Sequence, residues 1–336
     1  MTREEMQKVI VTGGAGFVGS HLVDRLVNEG IETYIVDNLS TGSLENISQH
    51  EGNALVHFFQ GDVKDVSSLL PKDEKFDAVF HEAAIASVPI SVENPKLVHD
   101  VNVNATIDLL NFCVNRGIRR FVFASSAAVY GVVETGMAEE SAFCRPASPY
   151  GASKLAVECY LHAYRESFGL EPVMLRYFNI YGRRQKLGDY SGVIQIFTKN
   201  LQKGIPPTIY GDGMQTRDFV NVADIVQANI LAMRAGSEAV GEVFNVASGE
   251  SVTIRQLLNT LVQITGRVDL DWKFVPARAG DVRNGRADIA KAKRVLGFSP
   301  SVSLKNGLTE LVKHLENVGV SAVSSPQPIS PTPTAG

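Results

Sequence analysis

The sequence predicts an α/β protein, built as a doubly wound parallel sheet with a smaller C-terminal α/β lobe. Three observations lead to this fold class. Short, nearly continuous apolar runs alternate with helical patterns in the first half of the chain, as expected for strands buried on both faces of a parallel sheet. A glycine-rich turn follows the first apolar run, and the alternation changes near residue 180.

The individual elements of the first half follow from these runs. Strands are predicted at Val9–Thr12, Thr33–Val36, Val56–Gln60, Ala78–His81, Phe121–Ala124 and Val173–Arg176. The clearest helices are predicted at Gly19–Glu29, Pro95–Asn115 and Tyr150–Phe168. Because helices separate the strands, each strand is expected to run parallel to its neighbours.

Domain boundaries are predicted from the change of pattern along the chain. Residues 1–180 form the doubly wound domain, and residues 181–320 form the second lobe, where Gly- and Pro-containing segments interrupt shorter elements. In folds of this class such a lobe lies over the carboxyl ends of the strands, where ligands bind. Residues 321–336 are rich in Ser, Pro and Thr and are predicted to be a disordered tail.

Composition excludes several classes of function. The net charge of −4 leaves no basic surplus for neutralising the phosphates of a nucleic acid. No apolar stretch approaches the roughly 18 residues that span a bilayer, and the N-terminal apolar run is too short for a signal peptide. Three cysteines without CxxC spacing indicate free thiols and no metal site, namely Cys113, Cys144 and Cys159. We therefore expect a cytoplasmic protein without a nucleic-acid, membrane or metal partner.

The glycine-rich turn has the pattern of a dinucleotide site. In VIVTGGAGFVGSHL a strand, a loop and a helix follow one another, with glycines at 13, 14, 16 and 19. Glycines permit the tight turn and let the backbone approach a pyrophosphate at the helix N-terminus. A bare GxGxxG could be an ordinary turn, but here both flanking elements are of the right kind.

The end of the second strand indicates which dinucleotide binds. Asp37 lies 23 residues after Gly14, where a carboxylate can accept hydrogen bonds from both hydroxyls of the NAD ribose and would repel a 2′-phosphate. No arginine occurs among the next three residues, Asn38 to Ser40. The sequence therefore predicts NAD as the cofactor.

A Tyr–Lys pair is the candidate catalytic motif. Tyr150 and Lys154 are four residues apart, so a helix places both side chains on one face. A phenol with a pKa near 10 is a poor base, but a neighbouring ammonium and the positive ring of NAD⁺ would lower that pKa. Ser125 and Ser126 end the fifth strand and offer hydroxyls at the same sheet edge. YxxxK is common by chance, and the glycine loop and these serines make the catalytic interpretation the stronger one.

Together these motifs resemble a known family, the extended short-chain dehydrogenase/reductases, and within it the UDP-glucose (UDP-galactose) 4-epimerases. The similarity runs from Lys8 to Glu316 and includes TGGAGFVGS, VDNLSTG, GDV, HEAA, SSAAVYG, YGASK, RYFNIYG, GDGMQTRDFVNVAD and RAGDVRNGRADIAKA. It implies a Rossmann domain that binds NAD and a C-terminal lobe that binds a UDP-sugar.

The resemblance also implies roles for individual residues. The catalytic residues would be Ser126, Tyr150 and Lys154. The dinucleotide would contact Gly13, Gly16, Phe17, Val18, Gly19, Asp37, Asn38, Asp62, Val63, Ala83, Ala84, Asn102, Tyr150, Lys154 and Tyr177. The substrate would contact Ser87, Ser126, Asn179, Val193, Arg217, Arg278, Asp281 and Gly285. Arginines suit a diphosphate because they bind it through bidentate, charge-assisted hydrogen bonds, although an arginine taken alone is more often part of a surface ion pair.

The implied reaction is the inversion of carbon 4 of the sugar through a 4-keto sugar, with Tyr150 taking the O4 proton and NAD carrying the hydride. Related dehydratases have an Asp-Glu pair after the strand-five hydroxyl, and related decarboxylases have a Glu; this chain has Ala127 and Ala128. Gly285 resembles the small residue of enzymes that also accept N-acetylhexosamines. A UDP-glucuronate 4-epimerase, with Arg183 or Arg184 binding the carboxylate, and a non-catalytic NAD-binding sensor remain alternatives.

The assembly is also predicted from the resemblance. The helices at Pro95–Asn115 and Tyr150–Phe168 have apolar residues on more than one face. Related enzymes pair these two helices into a four-helix bundle across a two-fold axis. The alternative is that both faces pack within one chain. We predict a homodimer.

Overall fold

The computed structural model describes residues 6–133, 137–186, 192–277, 283 and 285–323 of the 336-residue chain. The strands in this part of the chain, β1 to β15, are Lys8–Thr12, Glu32–Asp37, Val56–Gln60, Ala78–His81, Arg120–Ser126, Met137–Ala138, Glu171–Tyr177, Asn179–Tyr181, Thr208–Tyr210, Thr216–Arg217, Phe219–Asn221, Val243–Val246, Val252–Thr253, Lys273–Val275 and Arg286–Ala287. The helices, α1 to α11, are Phe17–Asn28, Val66–Leu69, Val88–Glu93, Pro95–His99, Ala105–Arg116, Pro149–Phe168, Val193–Gln202, Val222–Arg234, Ile254–Thr265, Ala290–Leu296 and Leu304–Val323.

Seven parallel strands form the central sheet in the order β3-β2-β1-β4-β5-β7-β12. Both faces are covered by helices, and two separate apolar cores lie against them, one with α1 and α8 and the other with α5 and α6. The strand order reverses between β1 and β4, and a crevice for a ligand opens at such a point. The predicted doubly wound α/β fold is confirmed.

Each of the six predicted strands lies in this sheet, but the seventh strand was not predicted. Strand β12 comes from the second half of the chain and pairs with β7, with Phe244 and Val246 fully buried. The chain therefore returns to the sheet after residue 180. The predicted domain boundary at residue 180 does not separate all of the sheet from the second lobe. Strand β12 pairs with a strand about 69 residues earlier in the sequence, Val243 with Met174, and a local apolar pattern does not indicate so distant a pairing.

The predicted helix at Pro95–Asn115 is a composite. Helix α4 passes into a π-helical turn at Asp100–Asn104, which continues as α5. Helix α3, just before α4, was not predicted; Ser87 caps it by accepting a hydrogen bond from the backbone N–H of Ile90. Single-turn π segments often occur at functional sites, and this one contains the predicted cofactor ligand Asn102.

The C-terminal lobe has its own apolar core. Helices α7, α9 and α11 contribute Phe197, Leu201, Leu257, Leu261 and Leu308, each at most 2% exposed. Strand β8 begins two residues after β7 ends, so the lobe starts at the carboxyl edge of the main sheet. This connection places the lobe beside the ends of the strands that carry the candidate catalytic residues.

Two further features concern the chain as a whole. Of the helices in the described part of the chain, none has the length and apolar character to cross a membrane. The same residues contain no group of three or more His, Cys, Asp or Glu side chains arranged to hold a metal ion. The predicted tail, residues 321–336, lies outside the described residues except for its first three, which continue α11.

Candidate active site

The glycine loop leaves room for a pyrophosphate where side chains would fill it. Gly13 has a φ of +70°, and a Cβ there would lie 2.7 Å from the backbone nitrogen of Ala83. A Cβ on Gly19 would collide with the carbonyl oxygen of Gly13, so this glycine lets α1 approach the turn. Helix α1 begins at Phe17 after Gly16, which provides no side-chain cap, so its first-turn N–H groups remain suited to an anion.

Asp37 lies at the end of β2 and is only 7% exposed. Its Oδ2 accepts from the backbone N–H of Ala15 at 3.0 Å, and its Oδ1 accepts from that of Leu39 at 2.8 Å. Burial raises the pKa of Asp37, and these two hydrogen bonds oppose the shift. A carboxylate has about four acceptor positions, so it can also receive the two ribose hydroxyls.

The remaining predicted adenosine ligands line one cleft with Asp37. Asn38 donates from Nδ2 to Asp62 Oδ2 at 3.3 Å, which joins the ends of β2 and β3. Asp62 in turn caps a short 3₁₀ turn by accepting from the N–H of Lys64. The walls of the cleft include Asp37, Asn38, Asp62, Val63, Ala83 and Ala84. The shape and donor set of this crevice fit a dinucleotide bound across the switch point.

Ser126 and Tyr150 meet at the carboxyl end of β5. Ser126 is the last residue of that strand, and its Oγ accepts from the N–H of Ala128 at 3.2 Å. Helix α6 carries Tyr150 in its first turn, and a Cβ on Gly151 would collide with the carbonyl oxygen of Ala128. The glycine of YGASK thus permits the close approach that brings Tyr150 within hydrogen-bonding reach of Ser126.

Lys154 lies one turn further along α6 and is 4% exposed. Its Nζ donates to the carbonyl oxygen of Ala124 at 2.8 Å and lies 4.9 Å from the centre of the Phe123 ring. Burial lowers the pKa of Lys154 to about 8, while the charges of Glu82 and Glu158 oppose that shift.

Among the described residues the net shift of the Tyr150 pKa is upward, and the lowering expected from Lys154 together with the positive ring of NAD⁺ stays a prediction. Burial raises the pKa of Tyr150 above its ordinary value of 10, and the hydrogen bond with Ser126 only partly offsets this. The physical reason is desolvation, because a buried phenolate loses more hydration than the hydroxyl of Ser126 replaces.

Two predicted cofactor ligands have clear positions in the protein. Asn102 is buried in the π-helical turn, where it bonds both backbone groups of Ile85 and donates to Ser153 Oγ at 3.0 Å. It therefore holds the loop after β4 against α6. Tyr177 ends β7, and its hydroxyl donates to Glu82 Oε1 at 2.8 Å.

A cavity of about 570 Å³ opens in the C-terminal lobe next to these strand ends. Three of the predicted substrate residues line it, namely Asn179, Val193 and Arg217. Sequence reasoning missed other residues of its wall, among them Phe197, Asn200, Tyr210 and Gln215. Tyr210 and Gln215 flank the GDGM turn, which begins the GDGMQTRDFVNVAD motif, so this motif could have indicated both residues.

Asp218 holds the segments of this lobe together and was also missed. Its fully buried carboxylate accepts from the N–H and Oγ of Ser248 at 2.8 and 2.6 Å and from the N–H of Gly249 at 3.0 Å. A longer bond of 3.4 Å comes from the N–H of Ala287. Its carbonyl oxygen accepts from Asn179 Nδ2 at 2.9 Å. Asp218 thus fixes Arg217, its neighbour in sequence, relative to three other chain segments.

Of the other predicted substrate residues, some have a described position and some do not. The N–H of Gly285 donates to Thr216 Oγ1 at 3.2 Å, and a Cβ on Gly285 would lie 3.6 Å from Arg217 Cδ. Gly285 therefore lies beside Arg217. Ser87 caps α3 after the loop that follows β4. Arg278 and Asp281 lie outside the described residues.

Comparisons with known proteins agree with this geometry. Residues 9–247 match the model of the NAD dependent epimerase/dehydratase family. The UDP-glucose 4-epimerase of Mycolicibacterium smegmatis is 37% identical over 313 residues, covering 92% of this chain and 99% of its own. The crystal structure of Thermotoga maritima UDP-glucose 4-epimerase with UDP-glucose has a TM-score of 0.85 at 38% identity, covering 93% and 99% of the two chains.

A second similar structure has a different substrate in its name. The UDP-N-acetylglucosamine 4-epimerase of Methanobrevibacter ruminantium, in complex with UDP-N-acetylmuramic acid, has a TM-score of 0.86 at 36% identity. The match covers 95% of this chain and all of that one. The chain therefore belongs to the NAD dependent epimerase/dehydratase family, and its cofactor is NAD.

Proposed function

We propose that the protein is a UDP-hexose 4-epimerase that interconverts UDP-glucose with UDP-galactose and UDP-N-acetylglucosamine with UDP-N-acetylgalactosamine. The observation that carries the proposal is the pairing of Ser126 with Tyr150 at the sheet edge, beside a cavity lined by Arg217. The reaction requires a pair of groups that moves the O4 proton, and a cation that binds the diphosphate of the substrate.

Each residue has a distinct task in the proposed reaction. NAD, held by the glycine loop and Asp37, would supply reversible hydride transfer at carbon 4 of the sugar. Tyr150 accepts the O4 proton as the hydride leaves and returns it afterwards, so no net oxidation occurs. Ser126 donates a hydrogen bond that orients O4 toward Tyr150. Arg217 holds the diphosphate in the cavity, so the sugar can turn over while the nucleotide stays bound.

The residues after Ser126 favour epimerisation over elimination. Ala127 and Ala128 open a 3₁₀ turn that follows β5 directly, and neither methyl group can transfer a proton. A dehydratase or a decarboxylase of this family would require an acid at this turn. This local feature supports the epimerase over both alternatives.

The arginines that a glucuronate substrate would require have other partners. Arg184 Nη1 donates to Asp24 Oδ2 at 2.8 Å, and Arg183 Nε lies 3.4 Å from Glu310 Oε1. Arg183 lines a separate small cavity, whose wall also includes His21 of α1. These pairings favour an uncharged hexose, and the small residue Gly285 beside Arg217 favours tolerance of an N-acetyl group.

We also propose that the protein forms a homodimer through the face formed by α3, α4 and α6. These helices pack together and expose Val92 (64%), Leu97 (43%) and Tyr160 (42%). Such a face is well suited to a two-fold helical interface. Sedimentation equilibrium should give about twice the chain mass of 36.4 kDa; a mass of one chain contradicts the proposal.

The first experiment uses the protein as purified, without added NAD. It is incubated separately with UDP-glucose, UDP-N-acetylglucosamine and UDP-glucuronate, and the anomeric protons are followed by NMR, with Tyr150→Phe as the inactive control. We expect the C4 epimer of the first two sugars to appear. A 4-keto-6-deoxy product would identify a dehydratase, and no change even after NAD is supplied would refute the proposed function.

A further inference from the structure

Residues 182–186, which we call the strap, follow strand β8 of the C-terminal lobe and lie against helix α1 of the glycine loop. A Cβ on Gly182 would lie 3.5 Å from the ring of Phe17, the first residue of α1. One turn later in α1, His21 Nε2 donates to the carbonyl oxygen of Arg183 at 3.1 Å. The strap therefore runs along the helix whose N-terminus is suited to the pyrophosphate of the cofactor.

The next residue of the strap is fixed to α1 by an ion pair. Arg184 Nη1 donates to Asp24 Oδ2 at 2.8 Å, and the two side chains are only 23% and 28% exposed. Asp24 Oδ1 also accepts from Gln49 Nε2 at 2.5 Å and lies 2.7 Å from His50 Nε2. These last two residues end the 3₁₀ turn Leu44–His50. One carboxylate of α1 therefore joins the strap to this turn.

The 3₁₀ turn directly follows residues 38–43, which we call the cofactor loop. Thr41 of this loop lines the cleft that contains the predicted adenosine ligands. The N–H of Ser43 donates to the carbonyl oxygen of Ala15, in the glycine loop, at 3.0 Å. At the end of the strap, Lys186 Nζ donates to the carbonyl oxygen of Thr41 at 3.3 Å. The cofactor loop is thus bonded both to the glycine loop and to the strap.

Both segments contain a residue with an uncommon backbone conformation. Arg184 in the strap has a φ of +62°, and Leu39 in the cofactor loop has a φ of +61°. Apart from glycines, they alone have a positive φ among the described residues. Such a conformation is unfavourable for a side chain other than glycine and persists where the surrounding contacts hold it. The ion pair of Arg184 with Asp24 is such a contact.

We propose that the strap retains NAD, with Arg184 and Lys186 as positioning residues that keep the cofactor loop in place as a wall of the cleft. A ligand held behind a loop leaves when that loop opens, so the contacts that hold the loop set the rate of release. The inference goes beyond the proposed function, because it concerns the cofactor of the family and applies whichever sugar is the substrate. Neither the glycine loop nor Asp37 by itself requires a contact from the C-terminal lobe.

The alternative interpretation is that Arg184 makes an ordinary surface ion pair, which contributes little to stability or binding. The pair with Asp24 differs from such a pair because both side chains are mostly buried and the carboxylate also binds the 3₁₀ turn. The neighbouring arginine shows the contrast. Arg183 Nε lies 3.4 Å from Glu310 Oε1, and these two side chains are 50% and 62% exposed. Arg183 is therefore the matched control within the strap.

The test measures the release of NAD from the purified full-length protein. The protein is loaded with radiolabelled NAD and chased with an excess of unlabelled NAD, and the bound label is followed after rapid desalting. We expect Arg184→Asn to release NAD about tenfold faster than the wild type, the typical contribution of a hydrogen bond between charged groups. Asparagine tolerates a positive φ, so the change removes the guanidinium while the backbone can keep its conformation. Arg183→Asn should stay within about twofold of the wild-type rate, as expected for an exposed ion pair.

A second variant checks that Arg184 acts through Asp24. Asp24→Asn keeps one acceptor oxygen for the 3₁₀ turn but loses the negative charge that binds the guanidinium, so it should release NAD about as fast as Arg184→Asn. The double variant should be no faster than either single variant, because both changes break the same contact. A double variant in which the two single effects multiply contradicts the proposal.

Release from Arg184→Asn at the wild-type rate, or equal acceleration in Arg183→Asn, overturns the proposal. A merely structural role would lower the melting temperature of the NAD-free protein without changing the rate of release, and this outcome overturns it too. If Arg184→Asn does not fold, Lys186→Met takes its place, since it removes the ammonium that reaches Thr41, and release at the wild-type rate then refutes the role of the strap. Because release is measured without any sugar, a failure of the proposed epimerase function leaves this result unaffected.

Discussion

The two halves of the site are built in different ways. The cofactor half comes from strand ends and one glycine loop, and its key contacts join residues close together at one sheet edge, as between Asp37 and Ala15. The proposed substrate half is assembled from short strands and loops that are far apart in sequence, joined through the buried carboxylate of Asp218. The first half therefore depends on the space left by a few glycines, and the second depends on one buried carboxyl group, that of Asp218.

The largest effect is expected when the hydroxyl of Tyr150, the proposed base, is removed. Tyr150→Phe removes the only proton-transfer atom of that side chain while preserving the ring that packs beside Ser126. We expect kcat to fall by about a hundredfold to ten-thousandfold, the usual contribution of general acid–base catalysis. Retention of NAD, measured by absorbance after denaturation, should be unchanged. Full activity in this variant would remove Tyr150 from its assigned role.

The next prediction concerns the glycine loop of the cofactor half, where an added methyl group changes only the shape. A Cβ on Gly19 would meet the carbonyl oxygen of Gly13, and this backbone atom cannot move without opening the loop. Gly19→Ala should cost about 1–3 kcal/mol of unfolding free energy, as overpacking does, and should reduce NAD retention. Gly236→Ala is the matched control, because a Cβ there would meet no atom within 4 Å. Equal NAD content in the two variants would contradict the prediction.

A smaller effect, confined to substrate binding, is expected when the buried carboxylate of Asp218 is replaced. Asp218→Asn replaces an acceptor of several N–H and O–H donors with a group that has one acceptor oxygen. Arg217 should then lose its fixed position, and KM for the UDP-sugar should rise about tenfold, or ~1.4 kcal/mol, with NAD retention unchanged. The effect follows from lost positioning, since Asp218 lines no part of the cavity wall.

Asp224, in the first turn of α8, provides the matched control. It too is a buried carboxylate, and it accepts from the N–H and Oγ of Ser301 and from the N–H of Val302. Asp224→Asn should lower the melting temperature as Asp218→Asn does but leave KM unchanged. An equal rise of KM in both variants would mean that Asp218 acts through general stability.

The features that the sequence predicted depend on local patterns, and those that it did not predict depend on residues far apart in the sequence. The six strands, the glycine loop and the positions of Ser126, Tyr150 and Lys154 were readable because each depends on a local pattern. Strand β12 was not, because it joins the sheet through a crossover from residue 243 that no local pattern indicates. Asp218 was missed for a related reason: its partner Ala287 lies 69 residues away in the sequence.

The smallest predicted effect concerns sugar selectivity. Gly285 lies beside Arg217, and a Cβ there would be 3.1 Å from the carbonyl oxygen of Thr216 and 3.6 Å from Arg217 Cδ. Gly285→Tyr should therefore narrow the space next to Arg217 and disfavour the N-acetyl sugar. One pocket residue is typically worth about 1–3 kcal/mol, and at the lower end of this range kcat/KM for UDP-N-acetylglucosamine should fall about fivefold relative to UDP-glucose. Gly285→Ala, which adds only a methyl group, should change this ratio less. If both sugars lose activity equally in Gly285→Tyr, the residue affects the position of Arg217 and not selectivity, because loss of diphosphate binding weakens every UDP-sugar alike.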